Sequence, residues 1–166
     1  MKLIKTLFIL SVLIVSISCN KDEETPVEPE GFYMTAKIDQ EDFNAKPETV
    51  LVDYYTDDGD FMTIRGKTNE NRFITFIVNL QNYTQGSGTY AAQDVRFVFG
   101  IESQDGFITD LWNIDQTGIG TLTILEEDTN HLKGTFTFSP MTAYGDLTNY
   151  NSNILITKGK FNAKKS

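Results

Sequence analysis

Apolar residues recur at every second position through most of residues 31–166, and a chain patterned this way folds into sheets rather than helices. In FYMTAKID, Phe32, Met34, Ala36 and Ile38 share one face, with Thr35, Lys37 and Asp39 on the other. In RFITFIVNL the set is Ile74, Phe76, Val78 and Leu80, and Phe73 and Ile77 opposite them point to burial on both faces. VRFVFGI gives Val95, Phe97, Phe99 and Ile101. HLKGTFTF gives Leu132, Phe136 and Phe138 against Lys133, Thr135 and Thr137. VLVDYY, FMTIRGK, FITDLW, GIGTLTILEE and NILITKGKF add further strands. No segment of useful length carries a helical period.

Turn signals separate these runs: Asp58-Gly59, Asn69 to Asn71, Gly86 to Gly88, Asp105-Gly106 and Asp128 to Asn130. Nine or ten short strands without helical crossovers predict an all-β antiparallel sandwich, with a lipocalin-like barrel as the alternative. The tetrapeptide Phe43-Asn-Ala-Lys46 returns as Phe161-Asn-Ala-Lys164. Both copies read as edge strands, Phe inward and Lys discouraging association.

The first thirty residues follow a different rule. Lys2 and Lys5 precede LFILSVLIVSI, an apolar run of 11 residues from Leu7 to Ile17. A bilayer-spanning helix needs roughly 20 such residues, so residues 1–18 read as a removable export signal. The chain's single cysteine, Cys19, comes next, after the small residues Ser16 and Ser18. Ser16-Ile17-Ser18-Cys19 resembles the lipobox of bacterial lipoproteins, with serine in the place of the usual leucine. An exported chain with one cysteine has no internal disulfide to form, and a thioether to diacylglycerol removes the free thiol. Cys19 is therefore the expected lipidation site, with the acyl chains as the membrane partner.

Residues 19–30 form an acidic, proline-bearing tether: two prolines and five acids follow Cys19, a composition that does not pack. Its reach is roughly 30 Å. Loss of residues 1–18 takes Lys2 and Lys5 away, so 12 basic residues face 23 acidic ones, a net charge of −11 against −9 for the whole chain. Such a domain gains nothing from anionic lipid and is repelled by nucleic acid. Attachment to a membrane must be covalent, and stable anchoring takes more than one acyl chain.

The stretches MTAKIDQEDFNA, GTYAA, GTFTFSP and ITKGKFNA resemble small Bacteroidota lipoproteins of uncharacterised function. Lys21 followed at once by Asp22, Glu23 and Glu24 is similar to the signal that sends such lipoproteins to the cell surface. The resemblance implies a compact β domain on an outer-membrane lipid anchor, surface-exposed or facing the periplasm. It carries no catalytic or binding residues.

Candidate chemistry is sparse. His131 is the only histidine and serves one arm of a catalytic arrangement at most; it reads as a strand-start residue. Asp57, Asp58 and Asp60 are candidate calcium ligands, although Asp58-Gly59 between two β runs is also a strong hairpin signal. Glu126-Glu127-Asp128 reads as a solvated turn. Gly86-Ser-Gly88 leads into a strand, so it lacks the helix N-terminus of a phosphate cradle. Residues 139–153 are the longest irregular stretch and carry Tyr144 and Tyr150. Trp112 with Tyr54, Tyr55 or Tyr90 could form an aromatic platform for sugar, against the plainer reading of strand packing. The expectation is a cofactor-free, non-enzymatic binding module whose partner is a glycan, a peptide or a protein. A carboxylate-dependent hydrolase of envelope polymer and a structural subunit of a surface assembly are the alternatives.

Overall fold

Period-two alternation becomes eleven strands in the computed structural model, which describes residues 29–56, 59–113, 119–143 and 154–166. They are β1 (Tyr33–Ile38), β2 (Glu41–Asn44), β3 (Leu51–Tyr55), β4 (Phe61–Lys67), β5 (Arg72–Asn79) and β6 (Gly88–Ala91), followed by β7 (Val95–Glu102), β8 (Ile108–Asn113), β9 (Ile119–Glu127), β10 (His131–Ala143) and β11 (Ile154–Lys165). A 3-10 turn, Pro47–Thr49, links β2 to β3. The chain is all-β, as the alternation predicts. The short strands β2 and β6 raise the count above nine or ten, and β10 runs on through residues 139–143, which the sequence marks as irregular.

Hydrogen-bonded order defines two layers. One is β3-β4-β5-β7-β8; the other is β2-β1-β11-β10-β9-β6. They join through β11–β3 at one flank and β10–β8 at the other, two residue pairs each. The main ladders run to seven or eight pairs. Such short seams fold one sheet over on itself as a sandwich, and it is not closed into a barrel. The β11–β3 seam is parallel, so the sheet is mixed rather than purely antiparallel. Most of the chain lies between β3 and β11, so this parallel contact needs no helical crossover.

Phenylalanine fills the space between the layers. Phe43, Phe76, Phe97, Phe136, Phe138 and Phe161 are the largest fully buried side chains. Phe76 of β5 meets Phe136 and Phe138 of β10 at 4.8 and 5.4 Å between ring centroids, and Phe161 of β11 at 6.2 Å. Both copies of the Phe-Asn-Ala-Lys tetrapeptide turn Phe inward, but only β2 is an edge strand. β11 pairs with β1, β10 and β3. The open edge of β2 is partly covered by Arg72, whose Nη2 donates to the Asp42 carbonyl at 3.0 Å.

Two glycines let β10 and β11 pack under these rings. Gly134 sits opposite Phe161, and Gly159 opposite Phe136. Each phenyl ring covers the glycine of the neighbouring strand, as aromatic residues do for strand glycines elsewhere. A Cβ at Gly159 would lie 2.3 Å from the Phe136 ring, and one at Gly134 would lie 2.2 Å from the Thr123 carbonyl oxygen. Just before Gly159, Lys158 adopts φ 53°, and the register slips by one residue against both β1 and β10. This bulge moves the inward set of β11 from Ile154 and Ile156 to Gly159, Phe161 and Ala163. Gly159→Ala is therefore expected to lose about 1–3 kcal/mol or more through overpacking, while Lys160→Ala on the outer face stays within about 0.5 kcal/mol. Urea unfolding of the two variants checks this: equal midpoints would refute the close approach.

Candidate functional site

A second bulge creates the most concentrated polar cluster among the described residues. Gly120, Leu122 and Ile124 of β9 point inward, and strict alternation would send Glu126 after them. The register against β10 slips by one residue between Ile124 and Glu126, so Glu127 turns in and Glu126 turns out. The Glu127 side chain is 2% exposed. It is no solvated turn residue, contrary to the sequence reading.

Four donors meet its carboxylate. Oε1 accepts from Lys165 Nζ at 2.7 Å and Tyr54 Oη at 3.4 Å. Oε2 accepts from Tyr83 Oη and from the Gly86 N–H, both at 2.6 Å. Lys165 also donates to the Asp128 carbonyl at 2.6 Å and sits 5.9 Å from the Tyr54 ring centroid. Tyr83 stacks on Tyr90, whose hydroxyl closes the same loop by donating to Thr84 O and accepting from Thr84 N. The cluster ties β3, β9, β11 and the β5–β6 connection together at one end of the sandwich.

Its charge states follow from these contacts. Burial pushes the Glu127 carboxyl up, but hydrogen bonds from Lys165, Tyr83 and Gly86 outweigh it and hold the group below the ordinary glutamate range. Burial likewise pushes Lys165 down, and its partner Glu127 reverses the effect to leave it raised. Burial, then Glu127, drives the Tyr83 hydroxyl far above its usual range. An ionised carboxylate with every lone-pair direction occupied is a poor general acid or base. The cluster is a clasp.

The other feature is a groove of about 400 Å³ on the outer face of the first layer. Phe73, Ile108 and Leu51 supply its apolar lining, and Arg65, Lys67 and Glu102 its charged rim. Ladder register places Lys67 beside Phe73, and Phe73 beside Gly100. Lys67 is ion-paired with Glu102, and Arg65 Nη2 lies 3.2 Å from Asp53 Oδ2. Along the same face, Tyr55 stacks on Phe61 at 4.8 Å and 17°. Phe73 and Ile77 are thus half-buried on an outer face, not sealed under a second layer.

The aromatic candidates separate. Trp112 is 5% exposed and stacks on Phe99 within the core, and Tyr90 is 6% exposed. Tyr54 and Tyr55 are adjacent on β3 and so face opposite ways: Tyr54 joins the clasp, and Tyr55 joins Phe61 outside. No single platform of Trp112, Tyr54, Tyr55 and Tyr90 exists. His131 opens β10 with Nδ1 2.9 Å from Asp128 Oδ2 and Nε2 3.5 Å from Glu126 Oε1. Backbone hydrogen bonds from Asn130 and His131 lower the Asp128 carboxyl. Asp60 is exposed with φ 48°, in the β3–β4 hairpin that Asp58-Gly59 predicts. Among the described residues no group of three His, Cys, Asp or Glu side chains is placed to hold a metal ion. Cys19, Asp57, Asp58, Tyr144 and Tyr150 lie outside the described residues.

Sequence reasoning missed Glu127, Lys165 and Tyr83. The one available signal was the acidic pair ending an otherwise inward-outward run at Glu126-Glu127. Comparison of the chain with family models, with curated proteins and with solved structures returns no match.

Stability should carry the clasp's signature. Glu127's folded pKa is depressed, so its contribution is complete above the unfolded glutamate range and is lost as pH falls through the folded value. Lys165's folded pKa is raised, so its contribution is complete below the unfolded lysine range and is lost as pH rises through the folded value. Lys165→Met leaves a buried carboxylate without its cation and is expected to lose about 3–5 kcal/mol at neutral pH. Unfolding followed from acid to alkaline pH checks this; a variant as stable as the parent throughout would show that the clasp carries no weight.

Proposed function

We propose that this chain is an exported lipoprotein of the small Bacteroidota kind, anchored in the outer membrane by acyl chains on Cys19. Its β-sandwich acts there as a non-enzymatic binding module, and its ligand contacts the outer face of the first layer around Phe73. The observation that carries the anchor is Ser16-Ile17-Ser18-Cys19 directly after a positively flanked apolar run too short to span a bilayer. The acidic tether behind it supplies distance from the lipid, and the net charge of −11 left after residue 18 gives the domain no electrostatic hold of its own on that surface.

Two features support binding over catalysis. The buried carboxylate of Glu127 is saturated with donors, so it is spent on structure. The groove combines an apolar lining with a few polar groups at its rim, the usual make-up of a recognition surface. Lys21 and the acids after it support presentation at the cell surface.

Cys19→Ala should abolish incorporation of labelled fatty acid and move the protein from the membrane to the soluble fraction. Unchanged membrane retention of this variant would refute the anchor. Protease applied to intact cells should digest the anchored protein, whereas full protection would place it on the periplasmic side.

A further inference from the structure

Resting on that reading of the Phe73 face as the binding surface, we propose that its ligand is an extended, uncharged oligosaccharide lying across β3, β4 and β5. Four observations select this chemistry over other polymers.

The first is charge. Two cations on the face have carboxylate partners, Lys67 with Glu102 and Arg65 with Asp53, and the exposed Arg96 of β7 stands opposite Ile77 beside them. The face therefore presents little net field to an ion, while the domain as a whole is strongly acidic. A polyanion such as nucleic acid or an acidic polysaccharide meets repulsion and finds no free cation cluster. Arginine and carboxylate groups in such pairs still have donor and acceptor directions to spare, and hydroxyls can use both.

The second is the placement of rings. Tyr55 stacked on Phe61 marks one end of the face, with Tyr55 43% exposed, and Phe73 marks the other end beside Lys67. Phe61 and Lys67 stand six residue steps apart along β4, a span of roughly 20 Å, about four sugar units long. Thr63 and Thr75 stand between them on the same face. Rings that meet apolar C–H faces, with hydroxyl and charged groups between, suit a molecule that alternates those surfaces.

The third is the backbone. β4 and β5 are each paired on both sides. Their main-chain groups are occupied, so an extended peptide gains no strand-addition hydrogen bonds on this face. Only side chains are on offer, and a saccharide needs nothing else.

The fourth is the open flank. Ile108 and Phe107 at the tip of the β7–β8 hairpin are 56% and 74% exposed, and Ile108 lines the groove. Ile108 gives the groove an apolar side that a chain-like ligand can rest against.

The test uses the full-length acylated protein in detergent, titrated calorimetrically with cellohexaose, xylohexaose, mannohexaose and maltohexaose. Hexagalacturonic acid and a mixed hexapeptide library serve as the charged and peptide probes. Saturable binding of at least one neutral hexasaccharide is expected, nearly unchanged between about 50 and 500 mM salt. Tyr55→Ala and Phe73→Ala should each weaken it by about tenfold or more, with circular dichroism unchanged; Tyr55 is exposed, so that variant holds the test if Phe73→Ala unfolds. No heat from any neutral hexasaccharide overturns the assignment, as does preference for hexagalacturonic acid or steep salt dependence. Peptide binding lost in Tyr55→Ala, without sugar binding, would sink the saccharide and keep the face as the binding surface. Silence from every probe would sink both. Release of new reducing ends would confirm the ligand and overturn the non-enzymatic reading.

Discussion

Two glycine–phenylalanine pairs hold β10 and β11 at the distance on which the rest of the sandwich depends. Gly134 under Phe161 and Gly159 under Phe136 bring those rings over the backbone of the neighbouring strand instead of beside it. This leaves Phe76 of the opposite layer room to touch both rings and Phe138. The pairing is reciprocal because the same Gly-x-Phe spacing, Gly134 to Phe136 and Gly159 to Phe161, runs in antiparallel directions. A side chain larger than hydrogen at either glycine would force strands or layers apart, and close-packed interiors resist such displacement.

Bulges then decide which side chains lie inside. At Lys158 the extra residue brings Phe161 into register with Gly134, and near Glu126 it turns Glu127 inward. One bulge therefore completes the core, and the other buries a charge. That charge would be costly alone, and Lys165, Tyr83, Tyr54 and the Gly86 amide satisfy it. Because its partners come from separate strands and a loop, the clasp fastens β3, β11 and the β5–β6 connection to β9 at one end of the sandwich.

The outer faces divide the remaining work. The second layer shows threonines on β6, β9 and β10, with hydroxyl contacts of 3.2 Å between Thr89 and Thr123 and between Thr121 and Thr137, beside the exposed Ile119 and Leu125 of β9 and Leu155 of β11. The first layer shows Tyr55, Phe61, Phe73 and Ile108 interrupted by neutralised charges. Under the proposals of an acylated Cys19 and of a binding surface around Phe73, the acidic tether places the sandwich in water near the envelope with this face as its contact surface.

The alternation in RFITFIVNL and VRFVFGI by itself determined an all-β chain, because a period of two admits no other regular structure. The β3–β4 hairpin was legible from its turn residues, and the inward phenylalanines of both Phe-Asn-Ala-Lys copies from the alternation. The tertiary structure alone decided that β11 is a central strand, that Trp112 belongs to the core and that Tyr54 and Tyr55 part company. It also decided that Glu127 is buried against Lys165. These outcomes depend on one-residue register slips and on pairings between distant segments, such as Leu51 with Lys164. A period read along the chain carries no information about either, since a bulge leaves composition intact while exchanging inside for outside.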